Sequence, residues 1–131
     1  MIWLLDTNIC IAWLKGADAG VKTRILKSVP GELMLCSIVK AELLYGARKS
    51  TRVAENLSRL ETLFASLPTL PFDDDAAEHY GVARAQLEGI GKPIGPNDLL
   101  IASIALAHNA TLVTRNAAEF RRMVGLRVEV W

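Results

Sequence analysis

The sequence predicts an α/β fold, a mostly parallel central sheet with helices on both faces, and three observations carry that expectation. Short, uninterrupted apolar runs such as Ile2–Leu5, Leu33–Cys36 and Thr111–Val113 read as buried strands. Longer segments with apolar residues every three or four positions read as amphipathic helices. The two kinds alternate along the chain, as they do when parallel strands are joined by helical crossovers. Ligands of such sheets sit beyond the C-terminal strand edge, close to where strand order reverses. The residues that follow each strand are therefore the first place to look for chemistry.

Taken in order, Ile2–Leu5 is a strand that runs into Asp6-Thr7-Asn8, a polar triplet suited to a helix start. A helix over Ile9–Lys15 is stopped by Gly16, and a second over Val21–Ser28 ends before Pro30-Gly31. Leu33–Cys36 is the next strand. Beyond Ser37 a helix carries Ile38, Ala41, Leu44 and Tyr45 as its apolar stripe, with Glu42 inside it. Val53, Leu57, Leu60, Phe64 and Leu67 mark a helix over Arg52–Leu67, ended by Pro68. Thr69–Phe72 is a short strand. Asp73-Asp74-Asp75 caps a helix whose apolar face is Ala76, Tyr80, Ala83, Leu87 and Ile90, with Gly91 as its stop. An irregular loop over Lys92–Asn97 leads to Asp98, which opens a helix so apolar that it must be buried. Thr111–Val113 is a strand, Thr114-Arg115-Asn116 a turn capping a short helix, and Arg127–Val130 a last strand.

A length of 131 residues, 51% of them hydrophobic, fits one compact domain spanning residues 1–131. The longest apolar run, Leu99–Ala107, falls short of the ~20 residues a membrane span needs, so no membrane association is expected. No basic leader precedes Asp6, and a cytoplasmic location is the expectation. Cys10 and Cys36 are then reduced thiols serving as small core residues. The net charge of +1 decides nothing about nucleic acid, because binding depends on where the bases cluster. Lys40, Arg48, Lys49 and Arg52 form one group, and Arg115, Arg121 and Arg122 another. Each also fits an ordinary solvated surface.

Asp6, Glu42, Asp98 and Asn116 can all reach one edge of the sheet. Singly, Asp6, Asp98 and Asn116 are sufficiently explained as helix caps. Glu42 is different, since a carboxylate on an apolar stripe is costly without a partner. Unit charges ~5 Å apart repel by roughly 3 kcal/mol per pair at an effective dielectric of about 20, so three gathered acids call for a cation. Hard oxygen donors without Cys or His select Mg²⁺ or Mn²⁺. His79 and His108 look unrelated to the site. Metal-assisted phosphoryl hydrolysis is the chemistry such a site supports.

Four stretches resemble the PIN-domain family, and closely its VapC toxins. They are Leu4-Leu5-Asp6-Thr7-Asn8; Ser37 with Glu42 and Tyr45-Gly46-Ala47; Pro93-Ile94-Gly95-Pro96-Asn97-Asp98 with Ile101-Ala102; and Val113-Thr114-Arg115-Asn116 with Glu119-Phe120. The resemblance implies a PIN-like sheet with an acidic pocket at its C-terminal strand edge, Mg²⁺ as cofactor (Mn²⁺ substituting) and endonuclease action on RNA. It implies Asp6, Glu42, Asp98 and Asn116 as catalytic positions, with Asp6 and Asp98 as metal ligands and Glu42 positioning water or a second ion. Thr7, Asn8, Ser37 and Thr114 would support them. Many PIN domains carry Asp where this chain has Asn116, which weakens the case for a second ion. The loop before Asp98 and the tail Gly125–Trp131 resemble the branch that cuts initiator tRNA in its anticodon loop, where a strand is free to be splayed. Arg48, Lys49, Lys92 and Arg115 would hold its backbone. A cognate antitoxin and a homodimer are implied as well, with Trp13 and the helix Arg52–Leu67 lining an antitoxin groove unless they are plain core. The competing readings are a PIN nuclease of RNA processing or DNA repair, and a non-catalytic PIN-like binding module. A phosphoacceptor receiver domain ranks last, because its paired acids and distant Lys are missing.

Overall fold

The structure is a computed structural model describing residues 1–131. In chain order it contains β1 (Trp3–Leu5), α1 (Thr7–Lys15), α2 (Ala19–Lys27), β2 (Leu33–Cys36), α3 (Ser37–Arg48) and α4 (Val53–Ser66). There follow β3 (Thr69–Leu70), α5 (Asp74–Gly89), α6 (Pro96–Ala107), β4 (Thr111–Val113), α7 (Ala117–Phe120) and β5 (Arg127–Glu129). The five strands form one sheet in the order β3-β2-β1-β4-β5, and every pairing is parallel, not merely most of them. The order runs outward from β1 to β3 and then resumes on the other side of β1 with β4. That reversal opens a crevice at the C-terminal ends of β1 and β4.

Successive strand residues point to opposite faces of a sheet. Leu4 and Leu5 of β1, Leu35 and Cys36 of β2, and Leu112 and Val113 of β4 are all fully buried, so both faces of the central strands are covered. The most apolar helix, α6, packs chiefly on α5 and buries Leu99 and a continuous run from Ile101 to Ala105. Ser103 sits within that run without penalty because its hydroxyl donates to the Leu99 carbonyl at 2.7 Å. Cys10 and Cys36 are buried and unpaired, as expected of small core residues. Burial pushes both thiols up, Cys36 to about 11, which leaves them inert.

Two helices differ from the sequence expectation in ways that matter for the site. In α3 the buried residues are Val39, Leu43 and Ala47, whereas Ala41, Leu44 and Tyr45 face solvent. The helix turns nearly the opposite side to the core, roughly half a turn from the expected stripe at about 100° per residue, because α1 and α4 pack against that side. Helix α6 begins at Pro96, whose fixed φ suits a first turn, so Asp98 is its third residue and caps nothing. At the margins, Ile90 is exposed beyond the end of α5, and β3 and β5 stop at Leu70 and Glu129. No helix is long and apolar enough to cross a membrane.

Candidate active site

Asp6 occupies the reversal point at the end of β1, and its side chain is held from two sides. Oδ1 accepts from the Thr7 backbone N–H at 2.8 Å, capping α1, and Oδ2 accepts from Thr114 Oγ1 at 2.7 Å. Thr114 is fully buried at the end of β4, and its hydroxyl also accepts from the Asn116 backbone N–H at 3.0 Å. Burial raises the Asp6 pKa, the bonds from Thr114 and Thr7 oppose it, and the charge of Glu119 adds to it.

Glu42 stands at the border of the buried side of α3, not inside it. Thr7 Oγ1 donates to its Oε1 at 3.0 Å, tying α3 to the start of α1 and leaving Oε2 without a partner in the chain. Asp98 is half-buried in the first turn of α6. Burial is the main reason its pKa rises to about 6, followed by the charges of Asp6, Glu119 and Glu42, with a bond from Asn116 working the other way. Those couplings place all four carboxylates in one electrostatic field.

Glu119 belongs to the fourth stretch that carries the resemblance, but the sequence assigns it no place in the site. Its Oε1 accepts from the Gly95 backbone N–H at 2.6 Å, and its Oε2 from Asn116 Nδ2 at 2.7 Å. The first bond anchors the loop that delivers Asp98, and both bonds lower the Glu119 pKa. Asn116 stands at the N-terminus of α7 but makes no side-chain cap. Its amide instead reaches Glu119 and, at 3.5 Å, Asp98 Oδ2. The fourth negative charge therefore comes from Glu119, three residues beyond the position where an acid was sought. Asn-x-x-Glu at a helix start is a capping-box spacing, and that spacing was the available signal.

None of Asp6, Glu42, Asp98 or Glu119 forms an ion pair with Lys or Arg. Their oxygens are met only by neutral donors. No three of the chain's His, Cys, Asp and Glu side chains lie close enough together to hold a metal ion by themselves. This donor set fits Mg²⁺, which is commonly held by one or two carboxylates and keeps several waters. It does not fit a soft or borderline ion, since His108 ends α6 at the far end from Asp98 and both thiols stay protonated.

A raised carboxylate pKa means that the folded protein holds a proton which the unfolded chain has released. Stability of the metal-free protein should therefore fall as pH rises from about 4 to about 6.5, the window set by Asp98, with Asp6 contributing in the same sense. The loss is about 1 kcal/mol once solvent screening of the half-exposed Asp98 is allowed for. Melting curves across this range in EDTA test it, and millimolar Mg²⁺ at pH 7 should restore the lost stability. A flat profile would mean that neither burial nor the neighbouring charges perturb these carboxyls.

The remaining predicted residues are less constrained. Ser37 is exposed at the first position of α3 and Asn8 on α1, and neither side chain is hydrogen-bonded within the chain. Arg48 and Lys92 are exposed without acidic partners. Lys49 Nζ lies 5.2 Å from the Tyr45 ring centroid, whereas Arg115 is ion-paired with Asp18, the cap of α2. A groove of about 330 Å³ between α1, α3 and α4 is lined by Ile11, Leu14, Leu43 and Leu60, with Glu42 and Arg59 at its polar parts. Trp13 does not line this groove. It is half-buried and packs on the core, so of the two readings offered for it the core one holds.

Comparison with known proteins places this geometry. The profile of the PIN domain matches residues 3–126. The chain is 43% identical to Ribonuclease VapC2 of Rickettsia felis, covering 100% of this chain and 98% of that protein. It is 40% identical to the tRNA(fMet)-specific endonuclease VapC of Shigella flexneri, covering 98% and 97%. Among solved structures, DNA-bound VapBC from Salmonella typhimurium superposes with a TM-score of 0.93 at 37% identity, covering 100% of this chain and 98% of the other.

Proposed function

Because the chain belongs to the PIN-domain family, we propose that it is an endoribonuclease toxin of a VapBC-type toxin–antitoxin pair, cutting initiator tRNA with the help of Mg²⁺. One observation carries the reading: near the reversal point of the sheet Asp98 feels the charges of Asp6, Glu119 and Glu42, and none of the four forms an ion pair with Lys or Arg. The end-to-end likeness to VapC ribonucleases supplies the substrate class, and the complexes among the neighbouring structures supply the partner.

In this reading Asp6 and Asp98 hold the ion. Bound there, Mg²⁺ supplies polarisation of the phosphodiester and activation of a water. Thr114 and the Thr7 N–H fix the Asp6 rotamer, so the carboxylate is oriented before substrate arrives. Thr7 does the same for Glu42, whose free Oε2 orients the water for in-line attack. Glu119 holds the Gly95 loop and with it Asp98. Asn116 contributes an amide rather than a charge, which favours a single ion. Arg48, Lys49 and Lys92, free of acidic partners, hold the RNA backbone. Arg115 joins them only by leaving Asp18. The antitoxin lies in the groove between α1, α3 and α4, beside Glu42, and the toxin acts in the cytoplasm as a homodimer.

The test is incubation of purified, antitoxin-free protein with total bacterial RNA in Mg²⁺ or Mn²⁺, with EDTA and Asp6→Asn as controls and 5′-end mapping as readout. Discrete cuts in the anticodon loop of initiator tRNA, absent from both controls, are expected. Folded protein that cuts nothing in either ion would replace this reading with a binding module.

A further inference from the structure

The chain has eight aromatic residues, and seven of them are buried or half-buried. The exception is Tyr45, which is 66% exposed on α3. No packing accounts for it: the buried side of α3 is Val39, Leu43 and Ala47, and no hydrogen bond holds the Tyr45 hydroxyl. A largely exposed aromatic ring on a surface otherwise clear of them calls for a ligand.

Its position narrows the choice. Tyr45 follows Glu42 by three residues, which places their Cβ atoms about 5–6 Å apart on the same side of the helix. Lys49 follows by four, and its ammonium covers one face of the ring, 5.2 Å from the centroid, leaving the other face open. Glu42, Tyr45 and Lys49 thus form one stripe, with a carboxylate of the acidic pocket at one end and an unpaired cation at the other. The pocket itself repels a polyanion. A strand entering it needs holding close by, and this stripe offers a flat π-face for a base and a positive charge for its phosphate.

We propose that Tyr45 is a stacking platform for an unpaired RNA base next to the scissile phosphate, with Lys49 holding the adjoining phosphate. The proposal rests on the nuclease reading above and deepens it: the enzyme selects loops because only an unpaired base has a free face to give. Bases within a duplex are already stacked on both sides and cannot use the ring.

The experiment measures the binding of a fluorescein-labelled RNA stem-loop, and of a fully paired duplex of equal length, by anisotropy in EDTA. Wild type, Tyr45→Phe and Tyr45→Ala are compared. Tyr45→Ala should weaken stem-loop binding about 5- to 150-fold, the range for loss of one stacked base. Tyr45→Phe should bind like wild type, and the duplex should bind all three alike. Thermal melts should nearly coincide, since the ring is largely exposed and packs on none of the core. Equal stem-loop affinity for wild type and Tyr45→Ala overturns the proposal, as does equal loss in both variants, equal loss on the duplex, or a wild type that shows no preference for the loop. A wild type that binds loops through Tyr45 but cuts no RNA would instead overturn the nuclease reading while leaving the platform in place. If Tyr45→Ala disturbs only antitoxin binding, the ring is a protein contact and the proposal fails.

Discussion

Asp98→Asn is expected to lower RNA cleavage by roughly 10²–10³-fold while making the metal-free protein more stable. The two effects have one cause. Asp98 is held half-buried among Asp6, Glu119 and Glu42, and its carboxyl is pushed up to about 6 by burial and those charges. At pH 7 it is nonetheless largely ionised, so the fold carries an unfavourable charge that only a cation relieves. An amide of the same shape removes the repulsion and with it the metal ligand. Relief of about 1 kcal/mol should raise the melting temperature by about 3 °C in EDTA at pH 7. It should also abolish the shift produced by millimolar Mg²⁺. Cleavage and melting, measured on the same preparations, separate this account from one in which Asp98 is a structural residue: a structural role predicts that both fall together.

How much of this was legible beforehand depends on how local each determinant is. The strands β1, β2 and β4 were read within a residue or two of their bounds, because full burial on both faces demands uninterrupted apolar runs. Their alternation with helices led to the parallel order, and the reversal rule led to Asp6. The stripe of α3 was misread because Ile38, Ala41, Leu44 and Tyr45 and the true set Val39, Leu43 and Ala47 have equally good helical spacing. Only packing against α1 and α4 selects between the two phases. Glu42 was therefore noticed for a mistaken reason, burial on that stripe, although it does enter the site through Thr7. The sequence places Asp98 at the opening of a helix, yet Pro96 begins α6, and the capping explanation that competes with a functional role falls away. Glu119 shows in the sequence only as part of the fourth stretch and at a capping-box spacing, neither of which ties it to the loop before Asp98. Its decisive contact, with the Gly95 N–H, spans 24 residues and leaves no periodic trace.

Glu119 is also the subject of the second large effect. Glu119→Ala should reduce kcat/KM about 10- to 100-fold, the usual cost of removing a group that orients a ligand. The loss arises because the Gly95 loop, and Asp98 with it, is released. Glu119→Gln should fall between, since an amide oxygen can still accept from Gly95 whereas its nitrogen cannot accept from Asn116. The position of the fourth charge is tested by moving it. Asn116→Asp alone sets a second carboxylate against Glu119 Oε2, now 2.7 Å from an amide donor, and against Asp98 Oδ2 at 3.5 Å. The acids then hold protons more tightly, activity at neutral pH falls and the activity profile moves to higher pH. The double variant Asn116→Asp/Glu119→Gln exchanges acid and amide and can rebuild their hydrogen bond with the donor reversed. It should recover a large part of the activity lost in Asn116→Asp, measured as kcat/KM against pH at fixed Mg²⁺. The alternative makes opposite demands: if residue 116 is the natural place for the fourth acid, Asn116→Asp alone should tighten Mg²⁺ binding and exceed wild type. The exchange variant should then gain nothing further.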